Sequence, residues 1–126
     1  MKSKTMLVSE AALQQAIVSA ASKLGWMHYH TYDSRRSSEG FPDLVLVHDG
    51  KQRIVYIECK SEDGKVSIYQ LAWQDALARC DAEIYVVRPR HLDEIIQILL
   101  LGSKPGVAAR AQYESAVVCL EVASLD

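Results

Sequence analysis

The segment 40-GFPDLVLVHDGKQRIVYIECK-60 constrains the fold more than any other part of the chain. Leu44 to Val47 and Ile54 to Ile57 are apolar runs rich in β-branched residues, separated by a connection that contains Asp49-Gly50. Strand-forming runs around Asp-Gly are the strongest short-range signature of a β-hairpin. Both runs are apolar at odd and even positions, which predicts strands covered on both faces by helices. Against that background Asp43, Glu58 and Lys60 stand out, as three charges at one end of a dry hairpin. With Asp49-Gly50 as a two-residue turn, His48 faces Lys51 and Asp43 faces Tyr56. Asp43, Tyr56, Glu58 and Lys60 then project from one face, because cross-strand partners share a face and side chains alternate with period two. A four-residue loop changes the partners but keeps this parity. In the two-residue case Asp43 and Glu58 are diagonal neighbours, roughly 7–8 Å apart at the backbone, within reach of one ion.

The flanking sequence places this hairpin in an α/β domain. Ser9 is a good N-cap, and Leu13, Ala16, Ile17, Ala20, Ala21 and Leu24 follow at helical spacing until Gly25. Residues 26–32, WMHYHTY, read as a strand, and 33–42 as a polar loop carrying Arg35 and Arg36. Ser67 and Gln70 form a capping-box pattern that opens a helix to about Arg79. Residues 83–88, EIYVVR, read as a strand, 92–101 as a helix stopped by Gly102, and 116–123, AVVCLEVA, as a further strand. The predicted order is α-β-β-β-α-β-α, with this tail strand after it, in one mixed-sheet domain spanning 1–126.

Buried charges at a strand end are costly unless they pair or hold a cation. The ordinary alternative is a surface ion pair between Glu58 and Lys60, with Asp43 in a turn after Pro42. Two carboxylates without Cys or His partners favour Mg²⁺ or Mn²⁺ over zinc, and the Cys59 backbone carbonyl, between Glu58 and Lys60, can add a third oxygen. A lysine beside such an ion can position a water or stabilise charge on a phosphoryl group in its transition state. These parts suit metal-assisted phosphodiester hydrolysis.

Pro42-Asp43 followed by Glu58-Cys59-Lys60 resembles the PD-(D/E)XK nuclease superfamily. More narrowly, GFPDLVLV, the ECK strand, Gln70 and YVVRP resemble its virus-type replication-repair nuclease (VRR-Nuc) family, from about Glu10 to Pro89. The resemblance implies a restriction-endonuclease-like core: a mixed β-sheet flanked by helices. It implies Asp43 and Glu58 as metal ligands, Lys60 as the catalytic lysine, Gln70 beside the site, and Glu10 as the matching acid of the first helix. Glu10 also precedes Leu13 by three, which continues the buried stripe of its helix, and it equally suits an acid at a helix N-terminus favoured by the dipole. Gln70 can serve the capping box as well. His28 and His30 share a strand face without a third ligand of matching softness, and are read as structural or rim residues.

The 14 Lys and Arg against 16 Asp and Glu give a net charge of −2, so no global basic field marks a nucleic-acid partner. A local stripe suffices for phosphate contact, and Arg35, Arg36 and Lys65 are the candidates, with Arg88 and Arg90 behind them. No separate module for reading base sequence is visible, so recognition is expected to rest on backbone and shape. A lone small domain of this family suggests a homodimer on branched DNA, such as a Holliday-junction resolvase, because four-way junctions are two-fold symmetric. The helix 92–101 and the tail 116–123 are the expected dimer surfaces. Flap or single-strand cleavage, a restriction-like role, or a non-catalytic nucleic-acid-binding module are the alternatives. Cys59, Cys80 and Cys119 offer no CxxC pair and no disulfide framework, so reduced thiols are expected. The N-terminal residues lack a signal-peptide pattern and no run suits a membrane span, which points to a cytoplasmic protein, and the family resemblance implies a bacterial host with phage or prophage encoding.

Overall fold

The computed structural model describes residues 8–31 and 38–100. Arg35, Arg36, Cys119 and the predicted tail strand lie outside the described residues. Helix α1 (Glu10–Lys23) starts where the Ser9 hydroxyl accepts the Ala12 N–H at 3.0 Å, and turns Leu13, Ile17 and Ala21 inward. Strands β1 (Met27–His30), β2 (Leu44–His48) and β3 (Arg53–Cys59) form an antiparallel meander. Helix α2 (Ile68–Arg79) then crosses to β4 (Glu83–Val87), which pairs parallel with β3. A short 3₁₀ turn (Pro89–His91) leads into α3 (Leu92–Leu100). The sheet order is β1-β2-β3-β4, and the α-β-β-β-α-β-α order is as the sequence predicts.

The hairpin connection differs from the two-residue turn. His48 pairs with Arg53, not Lys51, so residues 49–52 form a four-residue loop. Two interactions explain it. Gln52 takes a left-handed conformation (φ 55°) and donates its N–H to the Asp49 carbonyl at 3.0 Å. His48 Nδ1 accepts the Lys51 N–H at 3.1 Å while Nε2 lies 3.2 Å from the Leu24 carbonyl, tying the loop to the end of α1. The neutral imidazole protonated on Nε2 satisfies both contacts.

On one face of the sheet, Leu44, Leu46, Val55 and Ile57 pack against α1 and α3. At the loop end of that face, Arg53 is buried and fully engaged. Its Nε and Nη2 donate to both Glu83 oxygens at 2.9 and 2.7 Å, Nη2 also reaches the Ile98 carbonyl at 3.2 Å, and the guanidinium lies 5.2 Å from the Trp26 ring. Such a pair is tolerated inside because its donors and acceptors are met. On the opposite face α2 packs on β4, while Met27, Tyr29 and Ile54 remain exposed. The expectation of helices over both faces of the hairpin therefore holds for its core face but not for this one, where Ile54 lies open. Helix α3 buries Ile95 and Leu99 and packs Leu92, Ile96 and Ile98 on the core. The helix expected to carry a dimer interface thus directs its apolar face into the monomer. Among the described residues no helix is long and apolar enough to cross a membrane.

Candidate active site

The register that pairs Leu44 with Ile57 places Asp43 opposite Glu58 when continued by one residue. The two carboxylates are directly opposed rather than diagonal, and the predicted shared face is kept because a four-residue loop preserves parity. Asp43 is fixed by its backbone and by its partner strand. Its carbonyl accepts the Thr31 N–H at 3.0 Å, and Oδ2 accepts the Cys59 N–H at 2.8 Å. An extended residue turns its N–H and C=O toward the same strand edge, so the Cys59 carbonyl also faces the Asp43 side. The Lys60 N–H instead donates to the Val87 carbonyl at 3.0 Å, which extends the β3–β4 ladder through the lysine.

Glu58 is only 2% exposed. Its Oε2 accepts Gln70 Nε2 at 2.8 Å and lies 4.0 Å from Lys60 Nζ. The capping box determines how Gln70 is turned. Gln70 Oε1 accepts the Ser67 N–H at 2.9 Å and the Gln70 N–H donates to Ser67 Oγ at 3.1 Å, so the amide must present its NH₂ to Glu58. Gln70 therefore fills both the capping and the site role. Glu10 comes round the end of the sheet from α1, where its Oε2 accepts the Ser61 N–H at 3.4 Å. Asp43, Glu58, Lys60, Gln70 and Glu10 are thus brought to one end of the sheet. Lys65 is exposed on the loop before α2.

Burial, and then the facing Asp43 carboxylate, push the Glu58 carboxyl up to about 9. Burial also raises Asp43, with the Cys59 N–H opposing the shift. Burial raises the Cys59 thiol as well, so this cysteine is inert at neutral pH. Glu58 Oε1 is buried with no hydrogen-bond partner among the described residues. A proton on that oxygen, or a cation beside it, resolves the confrontation of the two carboxyls.

The donor set fits a hard divalent cation. It offers two opposed carboxylates, an unsatisfied buried oxygen, a backbone carbonyl on the same side, and no thiolate or imidazole ligand. Among the described residues no three Asp, Glu, His or Cys side chains form a ready-made cage. A two-carboxylate site suits Mg²⁺, which retains several waters rather than requiring an all-protein shell.

Three features escaped the sequence reading. Gly40 has φ 92°, and a Cβ there would lie 2.8 Å from the Gln70 nitrogen and closer still to the Tyr69 carbonyl group. The loop before Asp43 therefore rests directly on the backbone of α2. Phe41 adds edge-to-face contacts with Trp73 and Tyr56 at 5.0 and 6.2 Å. Only the glycine in GFPD hinted at that approach. Arg88 and Arg90, named as secondary phosphate contacts, are engaged otherwise. Arg88 is buried and donates to backbone carbonyls, and Arg90 pairs with Glu62 at 2.6 Å. A mixed four-stranded sheet flanked by helices, with a lysine beside two opposed carboxylates at one end, gives the protein's class: a restriction-endonuclease-like core.

Comparison with known proteins identifies the family within this class. The family model described as VRR-NUC domain matches residues 2–91, and the chain belongs to that nuclease family. A solved structure described as a VRR_NUC domain is 22% identical over 71% of this chain and 97% of its own, with a TM-score of 0.60, and shares the fold. The structure of Hjc, a Holliday junction resolvase from the archaeal hyperthermophile Archaeoglobus fulgidus, is 21% identical over 64% of this chain and 69% of its own, with a TM-score of 0.49. No curated protein matches the chain.

Proposed function

We propose that the protein is an Mg²⁺- or Mn²⁺-dependent endodeoxyribonuclease that hydrolyses phosphodiester bonds in branched DNA. The observation that carries this reading is the opposed Asp43–Glu58 pair, with Glu58 buried, its Oε1 without a partner among the described residues, and Lys60 Nζ 4.0 Å from its Oε2. A module without catalytic work has no use for two desolvated carboxylates in confrontation. Asp43, Glu58, the Cys59 carbonyl and, from the flank, Glu10 would hold the ion. When bound, such an ion polarises a phosphoryl oxygen and lowers the pKa of water.

The remaining steps belong to the chain. Gln70 fixes the Glu58 carboxyl group through Oε2, while Oε1 has no partner among the described residues. The Cys59 N–H holds Asp43 in the same manner. Lys60 places a positive charge on the site face, where negative charge accumulates on the phosphoryl oxygens during attack. Arg35, Arg36 and Lys65 are proposed phosphate contacts. Each one lost should lower the salt slope of duplex binding by about 0.9 without altering sequence preference.

For substrate, we propose four-way junctions cut by a homodimer, because paired symmetric cuts need two related sites. The test is cleavage of four-way, flap and linear DNA with Mg²⁺ or Mn²⁺, repeated with chelator. Metal-dependent junction cleavage that vanishes in Glu58→Ala supports the reading. Inactivity on every DNA with either metal overturns it. Cleavage of flaps alone by a monomer removes the resolvase assignment and leaves the nuclease.

A further inference from the structure

Arg88 lies just beyond β4, 2% exposed, with its guanidinium directed into the loop that follows Lys60. Its Nη1 donates to the carbonyls of Ser61 at 2.7 Å, Glu62 at 3.3 Å and Gly64 at 2.6 Å. The outer side of the same loop is held by Arg90, whose N–H and Nη1 reach the two Glu62 oxygens at 2.8 and 2.6 Å. The inner side faces the site. The Ser61 N–H donates to Glu10 Oε2, and a Cβ on Gly64 would lie 3.3 Å from that Glu10 oxygen and 3.5 Å from Lys60 Cδ. The loop is therefore a wall shared by the two site groups that have the fewest other anchors. The Lys60 side chain and the Glu10 carboxylate both rest on it, whereas Asp43 and Glu58 are held by Cys59 and Gln70.

We infer that Arg88 is a positioning residue for the candidate active site, which sets Glu10 and Lys60 by binding three carbonyls of the 61–64 loop. Three backbone carbonyls are gathered by one charged donor group, a stronger restraint than neutral hydrogen bonds give. Glu10 is where this matters most, since its bond to the Ser61 N–H, at 3.4 Å, is long and depends on where the loop sits. A cation held by Asp43 and Glu58 would meet Glu10 only while the loop holds its place. The assignment rests on the nuclease reading, and it removes Arg88 from the set of direct phosphate contacts.

The test compares Arg88→Ala and Arg88→Lys with wild type by Mn²⁺ calorimetry without DNA and by steady-state cleavage. Outer-shell partners of metal ligands typically change affinity or rate by about 10–100-fold. Arg88→Ala is expected to weaken Mn²⁺ binding and lower kcat in that range, leaving KM for DNA within about twofold. Low-millimolar guanidinium should restore part of both losses in Arg88→Ala and none in Glu58→Ala. If Arg88→Ala does not fold, Arg88→Lys decides, since an ammonium keeps the charge but not the planar set of donors. Unchanged Mn²⁺ affinity and kcat in a folded variant overturn the inference, as does a raised KM with a reduced salt slope, which would mark a phosphate contact. A wild type that binds Mn²⁺ but cuts no DNA defeats the nuclease reading while the calorimetry still decides the role of Arg88. A wild type that binds no Mn²⁺ overturns both.

Discussion

At the scale of single residues, the site sets a conflict between charge and burial that is measurable in the metal-free protein. Glu58 is held near 9 in the folded state, against an ordinary value of 4.5. The fold thus keeps a proton that the unfolded chain releases above about pH 4.5, and stability falls as pH rises from there toward 9. Calorimetric melting in chelator should give a lower Tm at pH 8 than at pH 5. Glu58→Gln should flatten that dependence and melt higher than wild type at pH 8, while abolishing cleavage. Gln70 separates two roles by chemistry. Gln70→Glu retains an oxygen for the Ser67 N–H but sets a carboxylate against Glu58, so helix capping survives and turnover falls. Gln70→Ala loses both, with an added cost of about 1 kcal/mol in urea unfolding. Lys60→Ala should lose rate rather than DNA affinity, because its charge meets negative charge that develops in the transition state. A large rise in KM with kcat intact would contradict this.

At the scale of elements, the contact between the GFPD loop and α2 governs how the carboxylates meet. Gly40→Ala forces a left-handed backbone on a residue with a side chain and drives a Cβ into the Tyr69–Gln70 peptide, a fixed obstacle rather than a movable side chain. A loss of about 2 kcal/mol or more in urea unfolding is expected. Cleavage should fall even where the variant is fully folded, because Gln70 is displaced from Glu58. The sequence carried the elements well, since capping residues, Asp-Gly and alternation are local signals. Parity carried the shared face of Asp43, Glu58 and Lys60 through an incorrect turn length. The hairpin register did not follow, because His48 is pinned by the Leu24 carbonyl, a contact 24 residues distant. The engagement of Arg88 was equally hidden, as nothing local in VVRP indicates which carbonyls a guanidinium will meet across the fold. The sequence also overestimated how far helices cover the hairpin, because a run apolar at odd and even positions cannot tell a covered strand face from one that leaves Ile54 in the open.

At the scale of the molecule, the sheet separates a functional end from a structural one. The Arg53–Glu83 pair, Trp26 and α3 close the end remote from Asp43 and Glu58. Glu83→Gln leaves the Arg53 guanidinium buried with a weaker partner and, by analogy with broken buried pairs, should cost about 3–5 kcal/mol or somewhat less while kcat is unchanged at temperatures where the protein is folded. Helix α3 buries Ile95 and Leu99 in the monomer's core, so Ile95→Asp should unfold the protein instead of dissociating a dimer. Light scattering alongside circular dichroism distinguishes those outcomes: a folded monomer from Ile95→Asp would return α3 to the interface.

The parallel pairing of β3 with β4 also gives the molecule an order of assembly. The hairpin of β2 and β3 closes through a four-residue loop, whereas β4 joins only after the chain has passed through α2. Pairings across longer stretches of chain form more slowly. Asp43 and Glu58 can therefore meet early, on a hairpin still wet enough for both to be ionised. Their desolvation comes later, when α2 and β4 dock and Gln70 reaches Glu58. The charge conflict is then felt mainly after the folding barrier, so Glu58→Gln should slow unfolding and leave the refolding limb of a chevron nearly unmoved.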